Sequence, residues 1–183
     1  MRDRHRWHIG ESGGAEFFGD SLNPFFITGL PRSRTAWMAA FLTGGDVLCH
    51  HELMKFCPTR ECFYQAFRHP KVRIGNSDSG LPLTEFQRVF PDAPTVIIER
   101  DIEDVYRSLH DIGIPIEMRW LVDMQERIAG LNGMRVEFDN LDRQLADICN
   151  HIGLPYRREK HDIFRHLIVV TNDFTPDNYG IWR

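Results

Sequence analysis

The chain of 183 residues lacks long apolar runs. None of its stretches approaches the ~20 consecutive apolar residues of a transmembrane helix, so we expect no membrane span. The basic first eight residues are followed by a stretch of glycine and glutamate instead of a hydrophobic segment, which argues against a secretory signal. We therefore expect a cytoplasmic location and a single domain over residues 1–183, loosely structured from 1 to 23.

Lysine and cysteine are also scarce, and the chain has no net positive charge. The basic residues are nearly all arginine, and the net charge is −4, so no nucleic-acid partner is expected. The four cysteines are too few for a disulfide scaffold, and we expect them to be reduced. Cys57 and Cys62 have the spacing of a zinc-ligand pair, but no second pair matches it, so the sequence predicts no metal site.

Strand-like and helix-like segments alternate along the sequence. The clearest strand is T-V-I-I-E at 95–99, a β-branched run typical of a strand that is buried on both faces. The other predicted strands cover 25–28, 46–49, 72–74 and 134–138. Helices are predicted over 34–43, 52–67, 82–90, 102–110, 115–131 and 141–152. This alternation predicts an α/β fold, a three-layer α/β/α sandwich with a central parallel sheet and ligands at the carboxyl ends of its strands.

The turn between the first strand and the first helix, L-P-R-S-R-T, is the strongest candidate for a binding site. A helix that begins directly after a strand leaves its first backbone N–H groups unpaired and aimed at one point, which favours an anion. Arg32 and Arg34 suit phosphate or sulfate oxygens, and Ser33 and Thr35 add hydroxyl donors. The sequence therefore predicts an anion site at this turn.

Three further groups of residues are predicted at the ligand-binding edge. Arg100 ends the T-V-I-I-E strand and Ser108 lies about two turns into the next helix. His50, His51 and Glu52 follow the second predicted strand, and the chain closes with N-Y-G-I-W-R, suited to a base or a phosphate. Ordinary roles fit as well, because Arg100 would serve in a surface ion pair and Glu52 as a carboxylate favoured by a helix dipole.

Together these motifs resemble the sulfotransferases that use 3′-phosphoadenosine 5′-phosphosulfate (PAPS). The family's phosphosulfate loop, approximately P-[KR]-S-G-T-T-W, is similar to P-R-S-R-T-A-W at 31–37. Its 3′-phosphate motif, approximately R-x-x-x-D-V-x-x-S, matches R-D-I-E-D-V-Y-R-S at 100–108, and the closing G-I-W-R is similar to a third element. The resemblance spans 25–183 and implies a P-loop nucleoside triphosphate hydrolase-like fold in a small bacterial or phage-like member.

The resemblance also implies a reaction. PAPS would be the donor, adenosine 3′,5′-bisphosphate the product, and a small-molecule or sugar hydroxyl the acceptor, with no metal. Arg32 would stabilise the charge of the leaving group, while Arg100 and Ser108 would hold the 3′-phosphate. The residues implied in cofactor binding are Pro31, Arg32, Ser33, Arg34, Thr35, Ala36, Trp37, Arg100, Ser108, Trp182 and Arg183.

A general base must take the proton of the acceptor hydroxyl. The resemblance favours Glu52, because Golgi and bacterial members carry a glutamate shortly after the second strand; His51 is the second candidate and Asp78 the third. Two departures from the family pattern stand in the loop. Arg34 replaces a glycine where the backbone should approach the anion, and Ala36 removes a hydroxyl.

Two alternatives to a sulfotransferase stay open. A P-loop nucleotide kinase or hydrolase shares the fold and the turn, but its Walker loop, G-x-x-x-x-G-K-[ST], needs a second glycine and a lysine that this turn lacks. A nucleotide-binding protein that keeps the fold without turnover is the other alternative. The sequence selects neither the acceptor nor the oligomeric state.

Overall fold

The computed structural model describes residues 23–57, 59–67, 72–167, 169–170 and 181–182. The strands of its main sheet are β1 (Phe25–Gly29), β2 (Val47–His51), β3 (Arg73–Ser77), β4 (Thr95–Glu99) and β5 (Met134–Glu137). Its α-helices are α1 (Thr35–Leu42), α2 (Arg60–Gln65), α3 (Phe86–Val89), α4 (Ile102–Asp111), α5 (Met118–Ala129), α6 (Leu141–His151) and α7 (Arg158–Phe164). Two short strands, β6 (Val169–Val170) and β7 (Ile181–Trp182), pair antiparallel.

The five-stranded sheet is parallel throughout, in the order β2-β3-β1-β4-β5. Helices cover both of its faces, which confirms the predicted three-layer fold class. The strand order places β1 at the centre, so the turn that follows β1 lies between the carboxyl ends of β3 and β4. Among the described residues, no helix combines the length and the apolar character that crossing a membrane requires.

Alternation along β1 divides the core between the two faces of the sheet. Phe25 and Ile27 pack with α1, α6 and α7 on one face, whereas Phe26 packs with α2, α3 and their connections on the other. On β4, Ile97 faces α4 and α5. A strand buried on both faces needs apolar residues at successive positions, which is why β1 and β4 are recognisable in the sequence.

The predicted helix over 52–67 is wrong. Glu52 has left-handed backbone, and only the 3-10 turn Leu53–Lys55 follows it. The α-helix α2 begins later, where the Thr59 hydroxyl accepts a backbone N–H of the first turn and so caps a new helix. Pro58 in the sequence disfavours helical backbone at the residue before it, so the interruption has a local cause.

The predicted helix over 82–90 is also divided, into the 3-10 turn Leu81–Leu83 and the single turn of α3. Thr84 separates them, because its hydroxyl donates to the Leu81 carbonyl at 2.8 Å and accepts the Phe86 N–H at 3.3 Å. A threonine side chain that bonds to nearby backbone competes with the continuous helical pattern.

β2 and β3 run further than predicted. His50 pairs with Asn76 and His51 with Ser77 at their carboxyl ends. Both histidines therefore belong to β2 instead of following it, and they stand at the edge where parallel sheets bind ligands. Helix α7 was not predicted, and it packs against α1 on the same face as α6.

Two isoleucines on neighbouring helices test this assignment of the core. Ile148 in α6 is 0% exposed and Ile163 in α7 is 62% exposed. We expect Ile148→Ala to lower the free energy of unfolding by about 2–5 kcal/mol and Ile163→Ala by less than about 0.5 kcal/mol. Urea unfolding followed by circular dichroism measures both, and equal losses would contradict the packing of α6 on the sheet.

Candidate active site

The turn between β1 and α1 holds two arginines in left-handed backbone. The φ angle is 67° at Arg32 and 61° at Arg34. Glu52, which follows β2, has a φ of 51°, and these three are the only non-glycine residues with positive φ in the described part of the chain. Such backbone costs on the order of 1–3 kcal/mol per residue and persists where the surrounding structure imposes it, often at functional sites. All three residues lie at the carboxyl edge of the sheet.

The first turn of α1 offers backbone donors. The N–H groups of residues 34–37 donate to no acceptor within the described ranges. The Ser33 N–H is already used, since it donates to the Leu30 carbonyl at 3.2 Å. The Ser33 hydroxyl, in contrast, is buried and has no hydrogen-bond partner within the same ranges. A buried donor of this kind beside open helix N–H groups fits an anion at the turn.

Arg32 brings the two predicted phosphate motifs together. Its Nε donates to the Ser108 hydroxyl of α4 at 3.1 Å, and the Arg100 guanidinium donates to the Arg32 carbonyl oxygen. Arg100 also lies over the Phe138 ring, 4.2 Å from its centroid. The guanidinium of Arg100 is partly withdrawn from water, and this burial lowers its pKa. Three polar groups from β1–α1 and β4–α4 therefore meet at one place.

Arg34 stands where the sulfotransferase loop pattern has a glycine, and its side chain contacts α6 and Trp37. Its guanidinium forms an ion pair with Asp142 in the first turn of α6, with an N–O distance of 3.0 Å. The same guanidinium lies 4.2 Å from the centroid of the Trp37 ring. The backbone keeps the left-handed conformation that a glycine would adopt freely, while the side chain is held against α6 and Trp37.

The remaining residues predicted to bind the cofactor lie on the turn, in the core and at the C-terminus. Pro31 and Ala36 are partly exposed along the turn. Trp37 is a core residue, since its indole N–H donates to the Phe164 carbonyl at 3.0 Å and its ring stacks on Phe41. Of the C-terminal pair, Trp182 is described only as part of β7, and Arg183 lies outside the described residues.

His51, Glu52 and Ser77 form a polar cluster at the ends of β2 and β3. The His51 Nδ1 lies 2.9 Å from the Ser77 carbonyl oxygen. Because a carbonyl only accepts, Nδ1 carries the proton and Nε2 is the proton-accepting nitrogen of the neutral ring. Nε2 is 4.0 Å from the Glu52 Oε1, and the other Glu52 oxygen pairs with Lys55. The Ser77 hydroxyl donates to the Thr35 carbonyl at 2.8 Å, which joins this cluster to α1.

Asp78, the third base candidate, is buried directly after β3. Its Oδ1 accepts the Gly80 N–H at 2.7 Å, and its Oδ2 has no hydrogen-bond partner among the residues that are described. Burial raises the pKa of Asp78; the Gly80 N–H opposes this rise, and the negative charge of Glu52 adds to it. A carboxyl in this environment holds a proton more strongly than an exposed aspartate does.

Sequence reasoning missed several partners of the site. Lys55, Phe138 and Asp142 contact Glu52, Arg100 and Arg34, and no motif singled them out. The four cysteines are free thiols, three of them buried. No cluster of three or more His, Cys, Asp or Glu residues suited to a metal ion occurs in the described part of the chain.

Comparison with known proteins identifies a similar fold. The chain is similar to the solved structure of mouse sulfotransferase SULT7A1 complexed with PAP, with a TM-score of 0.53 and 12% sequence identity. The match covers 80% of this chain and 64% of the mouse chain, so the chain spans less than two thirds of that protein's length. No protein-family model matches the sequence, and no curated protein matches it. At this identity the similarity shows a sulfotransferase-like fold.

The raised pKa of Asp78 predicts a pH-dependent stability. The folded state keeps the Asp78 proton to higher pH than the unfolded state does, so this group destabilises the fold progressively as the pH rises from about 4 through its folded pKa. Asp78→Asn keeps an oxygen for the Gly80 N–H but cannot ionise. We therefore expect its free energy of unfolding, relative to wild type, to increase between about pH 4 and pH 8 in urea titrations.

The matched control is Asp123→Asn, since Asp123 is exposed on α5. Its difference from wild type is measured over the same pH range. A constant difference for Asp78→Asn would show that Asp78 is not held protonated by burial.

Proposed function

We propose that this protein transfers the sulfuryl group of PAPS to an acceptor hydroxyl. The observation that carries the proposal is the contact of Arg32 with Ser108, supported by Arg100, because it joins both phosphate motifs beside the open N-terminus of α1. The sulfotransferase-like fold supports the same function. The Walker lysine of magnesium-nucleotide enzymes is missing from the turn, so this combination favours PAPS over magnesium-ATP.

The residues of the turn fit the phosphosulfate group. In the proposed complex, the N–H groups of residues 34–37 and the buried Ser33 hydroxyl donate to its oxygens. Arg100 and Ser108 contact the 3′-phosphate. Bound PAPS supplies an activated sulfuryl group, and the protein's contribution is position and charge.

Arg32 is the proposed electrostatic catalyst. Its Nε donates to Ser108 and its carbonyl accepts from Arg100, so two contacts position the residue at the N-terminus of α1. A preorganised guanidinium stabilises the negative charge that develops on a leaving group without a further reorganisation cost. Arg34 does not share this role, because Asp142 neutralises it.

The proposed general base is Glu52, with His51 beside it. Glu52 lies at the end of β2 in left-handed backbone, and one of its oxygens is 4.0 Å from the His51 Nε2. Lys55 pairs with the other oxygen and orients the carboxylate. Both groups can accept a proton. They lie next to Ser77, which contacts both the His51 ring and the Thr35 carbonyl of α1.

The acceptor is proposed to enter from the side of α2. A pocket lies there, lined by Met54, Cys57, Arg60, Phe63, Tyr64, Leu83, Thr84 and Glu85. Its first residue in sequence, Met54, lies in the 3-10 turn that follows Glu52. Most of the lining is apolar, which fits a hydroxyl compound with an apolar skeleton.

The contact with the 3′-phosphate makes a testable difference between two nucleotides. Ser108→Ala and Arg100→Gln should each weaken binding of adenosine 3′,5′-bisphosphate, by about ten- to a hundredfold for the arginine, because a charge-assisted hydrogen bond contributes ~1.5–3 kcal/mol. Adenosine 5′-phosphosulfate, which lacks the 3′ group, should lose little. Isothermal titration calorimetry measures both nucleotides, without added metal.

The control variant is Arg107→Gln, since Arg107 is exposed on α4 beside Ser108 and pairs with Asp104. Equal losses for both nucleotides would assign Arg100 a structural role through the Arg32 carbonyl. Preference of the wild-type protein for magnesium-ATP would refute the proposed function.

Removal of the base should affect turnover and not nucleotide binding. Glu52→Gln keeps the shape of the side chain but accepts no proton, so we expect turnover with PAPS to fall by roughly 10²–10⁴ while bisphosphate affinity holds. The defect should shrink at high pH, where the acceptor is already ionised, whereas that of Arg32→Ala should persist there. A sulfuryl-transfer assay over a pH series and a panel of hydroxyl acceptors measures both.

Glu61→Gln, an exposed glutamate on α2, is the matched control. Wild-type turnover in Glu52→Gln together with a collapse in His51→Ala or Asp78→Asn would move the base to that residue. Tight bisphosphate binding without transfer to any acceptor would identify a binding protein instead of an enzyme.

A further inference from the structure

A second cavity lies at the amino edge of the sheet, opposite the candidate active site. It opens between the end of α1, the starts of β2 and β3, and the segments that follow α6 and lead into α7. The eight residues of α1 separate this cavity from the β1–α1 turn, a distance of about 12 Å along the helix. None of the residues assigned to the proposed reaction lines it.

Positive charge dominates the rim of this cavity. Arg73, Arg157 and Lys160 line it together with a single carboxylate, Asp46, which leaves a net charge of +2. The Arg157 guanidinium donates to no acceptor among the described residues, so its hydrogen-bonding capacity is available at the rim. Arg73 is held in place, since its Nε donates to the Asn23 carbonyl at 2.7 Å and its Nη1 to the Gly153 carbonyl at 3.1 Å.

The turn Gly44–Gly45 lets the cations converge. The φ angles of the two glycines are 149° and 68°. A Cβ on Gly44 would lie 3.3 Å from one Arg157 nitrogen and 3.7 Å from the Lys160 Nζ, and a Cβ on Gly45 would lie 3.2 Å from the other Arg157 nitrogen. Side chains at this turn would therefore meet the guanidinium, and their absence admits it against the end of α1.

Lys160 is held at the rim by hydrogen bonds to the end of α1. Its Nζ donates to the Thr43 carbonyl at 2.6 Å and to the Ala40 carbonyl at 3.3 Å, which caps the C-terminus of α1. Two of its three donors are thus used, and one is left. Burial lowers the pKa of Lys160 and the neighbouring Arg157 lowers it further, so the two cations repel each other where an anion would stabilise both.

The rest of the lining is mostly apolar. It comprises Phe41, Leu42, Val47, Cys149, Leu154 and Pro155, with Gly44 and Gly153. A cavity with an apolar wall and a doubly positive rim matches a ligand that has an apolar body and one doubly charged group. A phosphate monoester carries this charge near neutral pH, because its second pKa is about 6.

We propose that the amino-edge cavity binds a phosphate monoester with an apolar substituent, held by Arg157, Arg73 and Lys160. This site is independent of the proposed function, since it shares no residue with the β1–α1 turn. The guanidinium of Arg157 and the remaining donor of Lys160 contact the phosphate oxygens, and the substituent contacts the apolar wall.

Calorimetric titration with phenyl phosphate tests the proposal. Arg157→Gln is the informative variant, because the Arg157 guanidinium donates to no acceptor in the described ranges, whereas the Lys160 side chain caps α1. We expect 1:1 binding to the wild-type protein and an affinity lower by about tenfold or more in Arg157→Gln. Arg158→Gln, at the neighbouring exposed residue outside the cavity lining, should bind as the wild type does.

Arg32→Ala distinguishes this cavity from the β1–α1 turn, since phenyl phosphate could also bind there. Retained affinity in Arg32→Ala with loss in Arg157→Gln supports the proposal, and it does so whether or not the protein uses PAPS. Loss in Arg32→Ala with retention in Arg157→Gln would overturn it, as would the absence of any binding. Phenol, which lacks the phosphate, should not bind, and binding of phenol with equal affinity would also overturn the assignment.

Discussion

The left-handed backbone at Arg32 and Arg34 is the constraint on which the rest of the site depends. It turns the chain sharply enough that α1 begins beside the end of β1 with its N–H groups open. Two such residues cost on the order of 2–6 kcal/mol together. Contacts at the turn come from elsewhere in the chain, because Arg100 donates to the Arg32 carbonyl and Asp142 pairs with the Arg34 side chain. A conformation that would be unfavourable alone is therefore held by α6 and by the β4–α4 connection.

Ser77 couples the two halves of the site. Its carbonyl accepts from the His51 ring and its hydroxyl donates to the Thr35 carbonyl in the first turn of α1. The cluster of His51 and Glu52 and the β1–α1 turn are thus connected through one residue at the end of β3. Because β3 lies between β2 and β1 in the sheet, this connection follows from the strand order.

The sequence predicted the sheet well and its polar ends less well. T-V-I-I-E was assigned with its exact bounds, since a strand buried on both faces is apolar at every inner position. The ends of β2 and β3 were missed because His50, His51 and Asn76 have no pattern of their own, and ladder pairing between the two strands extends them. The predicted helix over 52–67 is wrong because Thr59 caps a new helix within that range. The ion pair of Arg34 with Asp142 joins residues far apart in sequence, so no local pattern could predict it.

The central position of β1 has a consequence for how the chain acquires its structure. β1 is the first strand in the described part of the chain, yet Phe25 pairs with Gly75 and Phe26 with Thr95. During synthesis this apolar segment leaves the ribosome well before either neighbour exists. Parallel pairing between distant segments is slow, and exposed apolar strands associate with other chains in the meantime. The same burial that gives the sheet its core leaves the apolar side chains of β1 without their native partners until β4 has been made.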